Sequence, residues 1–298
     1  MILAERTKAA INQMLEADQG AKYRRTLGQV LPHIGDAYND KEARHRGHLG
    51  ASIIGRKCLR EIWYSWHWYT AKSHEGRMIR LFNRGHLEEG RIIAMLLSSG
   101  IQVYQQDANG KQFRISDCWG HFAGSGDGVA LGVPDVPSGE YCLLEFKTSS
   151  EKIFKEMVLN GVFETKLEHY VQMQIYLHHM GLKYALYIMV NKNNDELHCE
   201  IVQYDANIAS MYTRRAFTIV NADEPPKRIN ESPGWYECKF CDHLGACKRR
   251  EAPDKNCRTC KHSTPVLEGE DGLWQCTITG NLLTFQQQLD ACEGHTYA

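Results

Sequence analysis

The sequence predicts an α/β protein in which helices flank a mixed central sheet and a small C-terminal four-cysteine metal module follows. Strand-like apolar runs at residues 141–144, 184–190 and 197–203 alternate with helical patterns at 77–99 and 167–180. With 298 residues, 43% of them hydrophobic, the chain can bury a full core. We expect a helical segment at residues 1–50, a main domain at 51–250 and a zinc-binding tail at 251–298.

Composition favours a cytoplasmic protein. No run of eighteen apolar residues occurs, and the first residues, MILAERTKAAINQMLEADQ, mix acids with bases in an amphipathic pattern. We therefore expect no membrane span and no signal or transit peptide. The eleven cysteines are odd in number, which favours metal ligands or free thiols over a disulfide framework.

The net charge of −1 is unevenly distributed, with −4 in residues 251–298 and +3 in residues 1–250. Residues 56–91 hold eight basic and four acidic side chains, which either follow a phosphate backbone or solvate helix faces. Three tryptophans in this stretch either stack on bases or pack in the core. They are Trp63, Trp66 and Trp68.

The first part of the chain is predicted to be mostly helical. Residues 3–18 have an amphipathic pattern, residues 38–48 form a polar loop, and Ser52 is placed to cap a helix beginning at Ile53. The helix predicted over 77–99 ends at Gly100 and carries Glu89. A carboxylate presented from this helix can join a metal site.

Two carboxylates and a lysine form the central motif. Asp127 follows a glycine-rich bend, and Glu145 and Lys147 follow an apolar strand. Because strand side chains alternate, Glu145 and Lys147 point to the same side, and a hairpin brings Asp127 beside them. Converging carboxylates hold a cation such as Mg²⁺, and an ammonium positions water or a phosphate oxygen. The pattern predicts a phosphodiester-cleaving site.

The Glu-x-Lys pattern occurs twice more, at residues 164–166 and 237–239. Only the pair at 145–147 follows an apolar strand and has an Asp-Gly upstream, which makes it the candidate site.

The helix predicted at 167–180 presents further polar side chains. Gln172 and Tyr176 are one turn apart, and His169 precedes Gln172 by three residues on that face. Gln172 and Tyr176 either fix a phosphate or brace Lys147, or they belong to an ordinary amphipathic helix. The two strands that follow, joined by a turn at 191–195, form a hairpin.

The order of these motifs resembles the PD-(D/E)xK nuclease superfamily. Gly-x3-Glu on a helix precedes Asp-Gly, Glu-x-Lys on a strand, and Gln-x3-Tyr on a helix. It is most similar to the RecB-like exonuclease branch, which includes lambda-type phage exonucleases and CRISPR-associated iron-sulfur RecB-like nucleases. The resemblance covers roughly residues 52–250 and implies a restriction-endonuclease-like core.

The resemblance implies the ligands of a catalytic metal ion. Asp127, Glu145 and the Phe146 carbonyl would bind Mg²⁺ or Mn²⁺. Glu89 matches the first motif of the lambda-type enzymes, whereas many iron-sulfur relatives carry histidine there, so His86 is a second candidate.

The resemblance also implies that Lys147 orients or deprotonates the attacking water, with Gln172 and Tyr176 as supports. The implied activity is metal-dependent DNA exonuclease, of phage type, in recombination, repair or replication. The chain lacks a Gly-x4-Gly-Lys-Ser/Thr loop, so a helicase or a single-strand annealing protein is an expected partner. The alternatives are a structure-specific endonuclease and a non-catalytic iron-sulfur DNA-binding or scaffold protein.

A first cysteine group combines Cys238, Cys241 and Cys247 with the upstream Cys58. The iron-sulfur relatives have this C-terminal trio and a lone upstream cysteine, so the resemblance implies a 4Fe-4S cluster on these four thiols. Spacing alone leaves zinc open, with His243 as a further ligand.

A second group, Cys257, Cys260, Cys276 and Cys292, lies in the tail and predicts structural zinc. His262 and His295 are possible substitutes for one cysteine. The three other cysteines have no partner in spacing and are expected in the core. They are Cys118, Cys142 and Cys199.

Overall fold

The computed structural model describes residues 1–38, 45–71 and 73–298. The chain forms two compact units. The first comprises Met1–Lys41, His74–Ile115 and Ser125–Ala209, and the second comprises Glu42–Ser73, Ser116–Gly124 and Ser210–Ala298. Each unit combines segments from more than one predicted domain, and the three-domain division stays a prediction. Most of the loop predicted at 38–48 lies outside the described residues.

Helices and strands alternate along most of the chain. The helices are α1 Glu5–Ala17, α2 Ala21–Val30, α3 Leu59–Trp66, α4 Gly76–Ser98, α5 Glu151–Thr165, α6 Leu167–Met180, α7 Ala206–Val220, α8 Tyr236–Lys239 and α9 Phe285–Asp290. The strands are β1 Ile2–Leu3, β2 Leu49–Gly50, β3 Gln102–Tyr104, β4 Arg114–Asp117, β5 Phe122–Ser125, β6 Gly128–Leu131, β7 Tyr141–Ser149, β8 Tyr184–Asn191, β9 Leu197–Gln203, β10 Ser263–Pro265, β11 Trp274–Cys276 and β12 Leu282–Leu283.

The first unit is built on a sheet of order β1-β9-β8-β7-β6-β3. β7 and β8 are parallel, whereas β6 with β7 and β8 with β9 are antiparallel. The helices α1, α2 and α4 cover one face, where Cys142, Leu144 and Phe146 of β7 enter an aliphatic core. Strand alternation turns Glu145 and Lys147 away from that core, and α5 and α6 lie on their side. The predicted fold class, a mixed sheet flanked by helices, is confirmed.

The periodic segments agree with their predictions. The helices predicted at 77–99 and 167–180 are α4 and α6, and the predicted hairpin is β8 and β9. β7 continues to Ser149, so Glu145 and Lys147 lie within the strand instead of after it.

The predicted start of the helix at Ile53 is wrong. α3 begins at Leu59, and the Cys58 sulfur caps it by accepting a hydrogen bond from the Glu61 amide at 3.4 Å. Arg215, also in the second unit, donates to the carbonyls of Arg56 and Lys57, which fixes this backbone outside a helix.

The second unit has an aromatic core. Trp63, Trp66 and Trp68 are each 1% exposed, so they pack in the core and their interpretation as base-stacking residues is wrong. Arg258 is buried too, with its guanidinium 3.9 Å from the ring of Trp68 and 4.7 Å from that of Trp274. Its guanidinium donates to the backbone carbonyls of Trp66 and Gly47 and to the side-chain oxygen of Gln288, all of them neutral acceptors.

Two main-chain segments of the second unit cross at a pair of glycines. The Gly272 amide donates to the Trp119 carbonyl at 2.9 Å, and Gly120 and Gly272 have φ of +83° and +62°. A Cβ on Gly120 would lie 2.2 Å from the Glu270 carbonyl oxygen, and one on Gly272 would lie 2.7 Å from that of Gly120. Neither position has room for a side chain.

No helix among the described residues is both long enough and apolar enough to span a membrane.

Candidate active site

Asp127 is held beside β7 by a main-chain hydrogen bond. Its Oδ2 accepts from the Phe146 amide at 2.7 Å, and it precedes β6, which pairs with β7. This bond fixes the carboxylate between the positions of Glu145 and Lys147 on the neighbouring strand.

Glu145 is fully buried and bonded through both oxygens. The Lys147 ammonium donates to Oε1, and the Gln172 amide nitrogen of α6 donates to Oε2 at 3.1 Å. Lys147 keeps 28% of its side chain exposed. The structure therefore brings Asp127, Glu145, Lys147 and Gln172 together. Gln172 is bonded to Glu145, whereas one interpretation of the sequence has it brace Lys147.

Tyr176 lies one turn after Gln172 but has a different contact. Its hydroxyl donates to the Ser125 carbonyl at 3.0 Å. Because Ser125 stands two residues before Asp127, this bond anchors the bend that carries the carboxylate. His169, on the same helix, is within 2.9 Å of the Tyr187 hydroxyl.

Glu89 reaches the group from α4. Burial is the largest of the causes that raise its pKa to about 8, and the charges of Asp127 and Asp36 add to the rise while Lys147 opposes it. His86, the second candidate for the first motif, places Nδ1 3.7 Å from a Glu89 oxygen. Both first-motif candidates thus lie at the edge of the same cluster.

The cluster holds more carboxyl groups than its lysine can balance. Burial raises the pKa of Glu145 to about 7, with a further rise from Asp127 and an opposing effect of Lys147, and burial also raises the pKa of Asp127. Burial alone would lower the pKa of Lys147, but Glu145 and Asp127 outweigh it and raise that pKa. A cation placed among these oxygens would relieve their repulsion.

A cleft of about 650 Å³ opens at Glu89 and Asp127. Its wall contains residues that the sequence analysis missed, namely Gln29, His33, Asp36, Gln105, Gln106 and Gln112. Asp36 raises the pKa of both Glu89 and Asp127. A single aspartate in a polar stretch gave no sequence signal, because only the packing of α2 and the following turns against α4 brings it here.

The first cysteine group lines one cavity of the second unit. Cys58, Cys238, Cys241 and Cys247 surround about 30 Å³, with His243 also on the wall. The four thiols therefore share one cavity, although they are distant in sequence.

The second group also lies together. The charges of Cys260, Cys276 and Cys292 all contribute to the pKa of Cys257, which burial first of all raises to about 11. Backbone N–H groups of the Ile278–Thr279 turn point at Cys276 and lower its pKa. Of the remaining cysteines, Cys118, Cys142 and Cys199 are buried, as expected.

Within residues 1–38, 45–71 and 73–298, no group of three or more histidine, cysteine, aspartate or glutamate side chains is arranged so that it could hold a metal ion. Metal binding at the carboxylates or at either cysteine group therefore requires side-chain adjustment, or further ligands such as water and backbone carbonyls.

No family model and no curated protein matches this chain. Among solved structures, it is similar to LHK-Exo in complex with dAMP, with 16% identity over 58% of this chain and 86% of that one, at a TM-score of 0.43. A second structure of this alkaline exonuclease, from Laribacter hongkongensis, gives 14% identity, the same coverage and 0.41. SSO0001 gives 15% identity over 80% and 100% of the two chains, at 0.38. These values do not identify a family.

Proposed function

We propose that this protein is a metal-dependent deoxyribonuclease, acting as an exonuclease. One observation carries the proposal: Asp127, Glu145 and Lys147 meet on adjacent strands, and Glu145 is buried and held by Gln172. Buried carboxyl groups with raised pKa values beside a cleft are the usual mark of a candidate functional site.

The donor atoms are of the type that a hard divalent cation prefers, although the side chains must adjust to bind one. Asp127, Glu145, Glu89 and the Phe146 carbonyl offer oxygen ligands, which suit Mg²⁺ or Mn²⁺, and Mg²⁺ keeps several waters besides one or two carboxylates. The bound ion would neutralise charge on a phosphodiester and lower the pKa of a water.

The chain's own residues then have separate tasks. Lys147 supplies a fixed positive charge beside the scissile phosphate and positions the attacking water. Gln172 fixes the orientation of Glu145, and Tyr176 fixes the bend before Asp127. Asp36 and Glu89 add negative charge that favours the metal.

We place this activity in DNA recombination, repair or replication, with a phage-type enzyme as the model. The substrate would be a DNA end. A helicase partner would supply the ATP-driven strand separation for which this chain has no Walker-type loop, and a single-strand annealing partner would act on the single strand that digestion exposes.

The test is hydrolysis of end-labelled linear DNA and of closed circular DNA with Mg²⁺ or Mn²⁺. We expect only the linear DNA to be degraded. Glu145→Gln and Lys147→Met should each lower the rate by roughly a thousandfold. The pair Glu164→Gln and Lys166→Met is a matched control, because it alters a second Glu-x-Lys motif outside the cluster.

Cleavage of closed circular DNA, which has no ends, would show that the protein is an endonuclease and not an exonuclease. Failure of the wild-type protein to cut DNA or RNA would contradict the enzyme proposal altogether.

We also propose a 4Fe-4S cluster on Cys58, Cys238, Cys241 and Cys247, and structural zinc on Cys257, Cys260, Cys276 and Cys292. All four thiols of the first group line the same cavity, and the choice of a cluster over a single zinc follows the resemblance to the iron-sulfur nucleases. A single Zn²⁺ would draw the four sulfurs to within about 3.8 Å of one another. Anaerobic protein should be brown, bleach with dithionite and contain about four irons and one zinc. Colourless protein with two zinc ions would contradict the cluster.

A further inference from the structure

Three aromatic side chains stand exposed beside the first cysteine group. Trp235, Tyr236 and Phe240 are 39%, 56% and 81% exposed, and all belong to α8 or to the residues that flank it. Exposed aromatic clusters of this kind commonly mark binding sites. Together with Lys57 and Lys239, they are called the α8 surface below.

The α8 surface is organised by its own contacts. The ring centroids of Trp235 and Tyr236 are 5.1 Å apart. Lys57 lies 3.2 Å from the Tyr236 hydroxyl and 2.9 Å from a Glu237 oxygen. The Tyr236 hydroxyl also donates to Glu237 at 2.7 Å. These contacts hold Tyr236 in place, and its side chain remains 56% exposed.

The exposure is not explained by packing within the second unit. That unit buries Trp63, Trp66, Trp68 and Trp274 almost completely. The residues that line the thiol cavity include Glu237, Cys238 and Cys241, but none of Trp235, Tyr236 and Phe240. The rings therefore neither fill the core nor shield the thiols.

The charge around the rings is positive. Residues 227–250 hold six lysines and arginines against three acidic residues, whereas residues 251–298 hold three against seven. The Lys239 ammonium lies 5.9 Å from the centroid of Phe240, so a positive charge stands next to the most exposed ring. A partner for this surface should offer flat rings and negative charge.

We propose that the α8 surface binds single-stranded DNA. Tyr236 and Phe240 are one helical turn apart, so each can stack on a base, while Lys239 and Lys57 contact phosphates. Base faces are accessible in a single strand and hidden in a duplex, which selects the single strand. The choice of DNA over RNA rests on the proposed function. The inference that the surface binds a single strand rests instead on the exposed rings and the positive charge.

The experiment measures anisotropy of fluorescein-labelled oligo(dT) with the full-length, metal-loaded protein carrying Glu145→Gln, so that the DNA stays intact. We expect Phe240→Ala to weaken binding about tenfold, and Phe240→Trp to retain wild-type affinity. Lys239→Gln should reduce the dependence of log K on log salt by about 0.7. Phe163→Ala is the matched control, since Phe163 of α5 is 46% exposed in the first unit.

Equal iron and zinc contents in all variants will show that the second unit is intact. Unchanged affinity of Phe240→Ala, or equal loss in Phe163→Ala, would overturn the proposal. Tighter binding of a duplex of the same length would also overturn it. The same holds if the α8 surface binds a protein but does not bind oligo(dT). A wild-type chain that binds oligo(dT) through α8 but never cuts DNA would refute the nuclease and leave this inference standing.

Discussion

The first unit combines an aliphatic core with a cluster of buried charged groups around Glu145, and it buries two further carboxylates, Glu88 and Glu200, each with partners of its own. The second unit instead buries Arg258 between indole rings. Of the eleven cysteines, only Cys142 and Cys199 belong to the first unit. The first unit is thus organised around an aliphatic core, whereas the second depends on particular polar and aromatic contacts.

This difference concerns the source of stability. Apolar burial acts through the sum of many small contributions, so the first unit should keep its fold without a metal. In the second unit, metal binding by the cysteines would be part of the folding free energy. Removing a metal should therefore affect the units unequally.

The largest effect is expected from loss of one cysteine ligand. Cys241→Ala should release the metal of the first cysteine group and unfold much of the second unit, because metal binding contributes on the order of 10 kcal/mol in small metal sites. Cys142→Ala, in β7, should leave metal content unchanged. Metal analysis with hydrogen exchange resolved by segment tests this. Full metal content and protection in Cys241→Ala would contradict it.

A smaller effect is expected from the aromatic core. Trp274 is fully buried, with its ring 5.2 Å from that of Trp66, and Trp274→Ala should destabilise the second unit by about 3–5 kcal/mol. Ile188→Ala, in β8 of the first unit, is the counterpart at about 2–5 kcal/mol. Hydrogen exchange should show loss of protection in the mutated unit only. Equal loss in both units would show that they unfold as one.

The smallest effect is expected from acid titration of His67. Burial, with smaller contributions from the charges of Arg258 and His121, lowers its pKa to about 3, against the opposing effect of the hydrogen bond that Nδ1 donates to the Arg258 carbonyl at 3.0 Å. Below pH 6.5 the unfolded chain takes up a proton that the folded chain excludes. Stability should therefore fall with acidification from pH 6.5 towards 3, by at most about 1.4 kcal/mol per pH unit from this residue.

His67→Phe preserves a ring to stack on Trp63 and removes the titration. The free energy of unfolding, measured with denaturant between pH 6.5 and 5.5, should depend less on pH in the variant than in the wild type. Metal content is measured at each pH as a control. If the free energy of unfolding has the same slope against pH in both proteins, the folded protein does not keep His67 neutral.

Much of the first unit could be predicted from sequence because its signals are local. Helical periodicity gave α4 and α6, and alternation on β7 placed Glu145 and Lys147 on one side of the strand. The roles assigned to these residues stay predictions. Asp36 could not be found in this way, because its approach to Glu89 depends on packing between distant segments.

The second unit was harder to predict for the same physical reason. The start of α3 is decided by Arg215, which lies far away in sequence and binds the carbonyls before Leu59. The tryptophans at 63, 66 and 68 gave an ambiguous signal, since stacking on bases and packing in a core favour the same residue types. The contacts of Asn256 and Arg258 with the carbonyls of Trp68 and Trp66 show that these tryptophans belong to the core.

The crossing at Gly120 and Gly272 has a consequence for how such a chain can evolve. With the two main-chain segments in direct contact, a single substitution at either position would force these segments apart, and no compensating change at the other can restore the space. In any protein that descends from this architecture, the two glycines should persist together or disappear together with the whole crossing.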